Sequence, residues 1–157
     1  MVMRKWLMIA LACWPLVAQK YEGPRPAKAD LPYLMHADNL VPTEGLEAKQ
    51  DDRRNEVTYI IAGAHSEVKT PLASPAFLVM TQELQADKIQ LFKLVSKGDH
   101  REILLRRKSK LVAHPIRLNV TKQAEGLYKL EVDEILENGE YSLSPSDSNQ
   151  VFCFQIY

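Results

Sequence analysis

The sequence predicts an all-β fold, an antiparallel sandwich of about seven to nine short strands. Three observations carry that expectation. Short apolar runs recur between clusters rich in Gly, Ser, Asp and Asn, at the spacing of roughly 8 to 12 residues that suits hairpins. Several runs alternate strictly: Ile116, Leu118 and Val120 against Arg117, Asn119 and Thr121; Tyr128, Leu130 and Val132 against Lys129 and Glu131; Phe152, Phe154 and Ile156 against Val151, Cys153 and Gln155. Alternation with period two turns one face inward and leaves the other wet. No internal repeat, coiled-coil heptad or low-complexity tract interrupts the pattern.

The first residues set the compartment. Arg4 and Lys5 precede an uncharged run from Trp6 to Ala18, followed by Gln19 and Lys20, the order of a secretory signal peptide over residues 1–18. The run is too short to cross a bilayer, which takes about 20 apolar residues, and Trp14-Pro15 would break a buried helix. Ala18 suits cleavage before Gln19, while "IALAC" offers a second route, a lipoprotein anchored through Cys13. Residues 1–18 hold two basic residues and no acid, so the exported chain carries a net charge of −2 and has no general pull toward nucleic acid. It keeps only Cys153, so no intrachain disulfide forms, and stability must come from a buried core, for which roughly 120 ordered residues are enough.

Residues 19–32, with Pro24, Pro26 and Pro32, read as a solvated Pro-rich tether, or near Leu31 as a docked edge strand. The β-domain follows over residues 33–157. Its strands are expected at 33–40, 57–63, 76–81, 89–95, 101–107, 114–121, 127–132, 140–144 and 150–157. The charged stretch 42–56 reads as a long surface loop, and residues 81–88 as a short helix.

In "ILENGEYSLSP" a strand ending at Val132 is followed by Leu136, Gly139 and Tyr141. This spacing resembles the tyrosine corner of Greek-key sandwiches, the crossing from strand E to strand F of immunoglobulin-like domains. The resemblance implies an immunoglobulin-like Greek-key sandwich in which Tyr141 is buried, its hydroxyl paired to upstream backbone, with Gly139 relieving the turn. It covers about the last 30 residues. Leu143 stands where a true immunoglobulin domain has a cysteine, and the exported chain lacks the usual buried Trp. The plain alternative is a hairpin turning on "ENGE". The exported chain also resembles uncharacterised exported bacterial proteins that combine a short leader, a Pro-rich tether and one β-domain. That likeness implies secretion and envelope association and transfers no activity.

No catalytic, metal or cofactor site is expected. His36, His65, His100 and His114 are isolated; His36 and Asp38 could share a strand face but make two ligands only. Ser66 follows His65, yet neighbours on a strand point to opposite faces. Cys153, between two phenylalanines, reads as a small apolar group rather than a reactive thiolate. Glu131, Asp133, Glu134, Glu137 and Glu140 read as solvated charge, and the Asn119 sequon as bare in a bacterium. The patch with a use beyond the fold is "REILLRRKSK", where Arg101, Arg106, Arg107, Lys108 and Lys110 face one acid, Glu102. Ile103 and Leu105 point inward, with Arg101 and Arg107 at the ends of that row. Such a hairpin would grip an anionic envelope polymer, or its cations simply guard strand edges. No aromatic residue interleaves with the charges, so nucleic acid is not the expected partner.

The sequence therefore predicts a non-catalytic binding or structural module, periplasmic or extracellular, with no transmembrane segment after processing. Its partner would be an envelope protein or an anionic envelope polymer. Two rivals remain: a small secreted enzyme with a loop-borne site in residues 42–75 with His36, and an envelope assembly partner that pairs through a strand edge.

Overall fold

A computed structural model of the chain describes residues 20–53, 56–106 and 113–157. The segment expected as a leader, with Cys13, and within the expected basic hairpin Arg107, Lys108, Lys110 and the side chain of Arg106, lie outside the described residues.

The described residues form an all-β, sandwich-like fold of fourteen short strands and one 3-10 turn. In chain order the strands are β1 (Tyr33–His36), β2 (Asn39–Pro42), β3 (Glu44–Glu47), β4 (Lys49–Arg53), β5 (Glu56–Ala62), β6 (Lys69–Thr70) and β7 (Ala76–Met80). The 3-10 turn Ala86–Lys88 follows, then β8 (Ile89–Lys93), β9 (Val95–Lys97), β10 (His100–Arg106), β11 (Leu118–Ala124), β12 (Leu127–Val132), β13 (Gly139–Pro145) and β14 (Gln150–Ile156).

Three sheets result. The first has the order β11-β12-β7-β1-β2, the central sheet β3-β14-β13-β8, and the third β4-β5-β10-β9. All these pairings are antiparallel; β6 adds in parallel beside the end of β14. The first and central sheets enclose the larger core, in which Leu34, Phe77, Val79 and Leu130 meet Leu91, Tyr141, Leu143, Phe152, Phe154 and Ile156. The Phe154 ring sits at its centre, 5.0 Å from Phe77 and stacked 5.6 Å from Tyr141. Central and third sheets enclose a second cluster of Ala48, Ile61, Phe92, Leu94, Ile103, Val151 and Cys153.

The third sheet exists because two chain segments change sheets at a bend. β3 runs into β4 through Ala48, and β8 runs into β9 through Leu94; both hinge residues are buried in the second cluster. The central sheet is thus covered on both faces, which corrects the expectation that Val151, Cys153 and Gln155 face water: Val151 and Cys153 are buried. The segment 42–56, expected as a loop, is another correction. It supplies β3 and β4, edge strands that need few apolar side chains because only one side of each is paired.

Smaller differences have local causes. The run expected at 33–40 is a hairpin turning at Ala37, with φ +51°, and the expected helix at 81–88 shrinks to its last three residues. The strand expected at 114–121 starts at Leu118, because Pro115 precedes an isolated bridge between Ile116 and Leu91. Residues 20–32 are not simply solvated: Pro26 and Pro32 are buried, and the Asp30 N–H donates to the Met80 carbonyl at 2.7 Å. The Asp30 carboxylate in turn accepts the N–H groups of Gln82, Glu83 and Leu84. Burial raises its pKa, but the three donors outweigh that and leave it below the usual carboxylate range.

Candidate functional site

Both faces of β13 matter, and they are built differently. Toward the larger core, Tyr141 is 1 % exposed and its hydroxyl donates to the Glu137 carbonyl at 2.8 Å. Leu136 is buried beside it, and its N–H donates to the Ala73 carbonyl at 2.7 Å. Gly139 turns the chain at φ +156°, where a Cβ would press the Lys93 side chain at 3.4 Å. Burial raises the Tyr141 pKa above its ordinary value, so the phenol stays protonated and keeps its donor.

On the opposite face of β13, Glu140, Ser142 and Ser144 point into the space between the central and third sheets, and all three are buried. Arg101 reaches Glu140 from β10. Its side chain is 0 % exposed, with Nη1 3.1 Å from Glu44 Oε2 and 3.5 Å from Glu140 Oε2. Its Nε donates to the Gly63 carbonyl at 2.8 Å and its Nη2 to the Ala62 carbonyl at 2.9 Å. Glu140 Oε2 also accepts the Ser66 N–H at 2.9 Å, and Glu140 Oε1 the Nδ1–H of His65 at 3.1 Å. A cation, two carboxylates, two carbonyls and a loop N–H therefore satisfy one another inside the protein.

This arrangement corrects three expectations. Arg101, expected among the cations that face an anionic partner, is buried and committed to internal acceptors. Glu140, expected as solvated charge, is 4 % exposed. His65 and Ser66, expected to diverge, converge on one carboxylate because they sit in a turn after β5 rather than on a strand. The Ser66 hydroxyl accepts the Val68 N–H at 3.2 Å, so it fixes the turn.

The remaining candidates find separate partners. His36 Nε2 lies 3.0 Å from Thr70 Oγ1. Glu131 pairs with Lys129, Asp133 with Arg117, and Glu137 with Lys93. Cys153 is buried, and desolvation pushes its thiol up to about 12, so the nucleophilic thiolate is absent at neutral pH. Among the described residues no cluster of three or more His, Cys, Asp or Glu is arranged to hold a metal ion. At the far end of the second cluster from Arg101 a small cavity of about 70 Å³ opens between Tyr59, Phe92, Leu105, Ser144 and Val151.

Sequence reasoning missed Glu44 and the fate of Glu140. The available signal was Arg101 itself, which continues the inward row of Ile103 and Leu105: a cation on an inward row demands buried carboxylates from elsewhere. In comparison with known proteins, no family model matches the chain, and neither a curated protein nor a solved structure matches it.

Proposed function

We propose that the chain is an exported immunoglobulin-like module of the bacterial envelope or extracellular space that binds or supports a partner and performs no chemistry. The observation that carries the reading is the internal pairing of Arg101, Glu44, Glu140 and His65, whose hydrogen bonds tie the third sheet to the central one instead of opening on a cleft. Two further features support the immunoglobulin-like assignment. The order β1-β7-β12-β11 opposite β8-β13-β14 corresponds to A-B-E-D opposite C-F-G of constant-type domains, and the Tyr141 hydroxyl bond falls at the crossing from E to F. On this reading β2 to β6 are an insertion between A and B, and β9 and β10 lie between C and D.

Export follows from the leader, and among the described residues no helix is long and apolar enough to cross a membrane. The partner is an envelope protein or an anionic envelope polymer held by Arg106, Arg107, Lys108 and Lys110, with Arg101 removed from that set. Expression of the tagged full chain in a bacterium, followed by fractionation and intact mass, tests the compartment. The expected product starts near Gln19 in the periplasm or medium, or carries lipid on Cys13; a full-length cytosolic chain overturns the proposal. Dextran sulfate tests the cations: salt-sensitive binding should vanish when the four are replaced by alanine, and unchanged binding would assign it elsewhere.

A further inference from the structure

We infer that the outer edge of β3 takes up an extended peptide of a protein partner, which adds as a further strand to the central sheet. Among the described residues β3 pairs with one strand only, β14. The Ala48 N–H donates to the Asn149 carbonyl at 2.8 Å, continuing the register in which Glu47 faces Gln150. Hydrogen-bonded pairs alternate along an antiparallel ladder, so Leu46 and Glu44 turn their backbone groups toward β14. Gly45 and Glu47 turn theirs outward.

These two residues border a groove of about 510 Å³, whose opposite wall is the segment from Lys28 to Leu31 and whose floor includes Phe152. Gly45 leaves its backbone bare at the groove, and a Cβ there would lie in ordinary contact, 3.7 Å from both Leu31 Cδ1 and Phe152 Cδ1. A glycine within a strand suits close approach of another backbone. Three other edges are guarded: β4 reads Lys-Gln-Asp-Asp-Arg, β11 carries Lys122 and a shift in register, and the β8 edge is bridged by Ile116.

Charge selects the occupant. Glu47 and Lys28 stand on the two walls, and neither makes an ion pair among the described residues. The incoming strand accordingly places a basic side chain beside Glu47, an acidic one beside Lys28 and a β-branched one over Leu31 and Phe152. This inference rests on the binding-module reading and names its partner class. Failure of peptide binding would leave the export test untouched, so the two can fail separately.

The test is a library of fluorescein-labelled pentapeptides in which acidic, β-branched and basic residues alternate with threonine, titrated against the purified chain. Binders should slow amide exchange at Gly45 and Glu47. Glu47→Pro, which removes one outward N–H and leaves the ladder to β14 intact, should weaken binding about tenfold or more. Glu47→Lys should switch the preference from basic to acidic peptides and decides the matter if the proline variant fails to fold. Slowed exchange nowhere on β3, binding indifferent to both variants, or an edge closed by dimerisation in sedimentation would each overturn the inference.

Discussion

The two faces of the central sheet are made by neighbouring residues of the same strands, yet they are held by opposite means. One face stacks Tyr141 on Phe154, against the tilted ring of Phe77 from the first sheet, and spends a single hydroxyl on the Glu137 carbonyl. The other buries Arg101 against Glu44 and Glu140 beside Ser142, Ser144 and Cys153. The apolar face draws on the hydrophobic effect and tolerates the loss of one polar bond. The polar face is stable only while every charge keeps its partner, because an orphaned buried ion cannot be rehydrated.

That contrast is most easily broken at Arg101. Arg101→Met strands Glu140 and should cost about 3–5 kcal/mol in urea unfolding, whereas adding Glu140→Leu to it should recover part of the loss. An effect below about 0.5 kcal/mol, the size seen at exposed sites, would remove the polar face from the account.

A smaller effect is expected at Asp30, which imitates the polar face in a half-exposed place. Asp30→Ala should cost about 1–2 kcal/mol because three N–H donors lose their acceptor while solvent partly replaces it. Its lowered pKa fixes the sign: the contribution is complete above the unfolded value near 3.8 and is lost as pH falls through the lower folded value. Unfolding between neutral pH and the acid limit should show this loss in the parent and not in the variant.

On the apolar face, Tyr141→Phe keeps the ring stack and deletes only the hydroxyl bond, at a cost of about 1 kcal/mol by the same measurement. No loss would remove the corner from the account.

The smallest effect belongs to His100, whose two ring nitrogens face Asp99 at 2.8 Å and Glu102 at 2.9 Å. The hydrogen bond to Asp99, then that to Glu102, raise its pKa. Its contribution is therefore full below the unfolded value near 6.5 and fades as pH rises through the folded one. His100→Asn should differ most from the parent at mildly acidic pH and converge with it at alkaline pH.

What was legible in the sequence was local. The alternation over 127–132 and 150–156, and the spacing of Leu136, Gly139 and Tyr141, are written within a few residues, so the strands and their inward side could be read directly. What covers a strand's second face is a long-range property. Glu44 and Arg101 lie 57 residues apart and His65 and Glu140 lie 75 apart, and each looks like surface charge until its partner is known. The stretch 42–56 misled for the same reason, since its edge strands are charged on the solvent side and the half-buried Glu44 is answered by a distant cation, Arg101.

A central sheet covered on both faces is tested most directly by the reactivity of Cys153 in a Cys13→Ser chain, with maleimide in native buffer. The thiol should be modified only as fast as the protein unfolds, with the rate climbing steeply in urea. Complete modification within minutes in the absence of denaturant would mean that this face of β14 lies open, and the account of the polar face would be wrong.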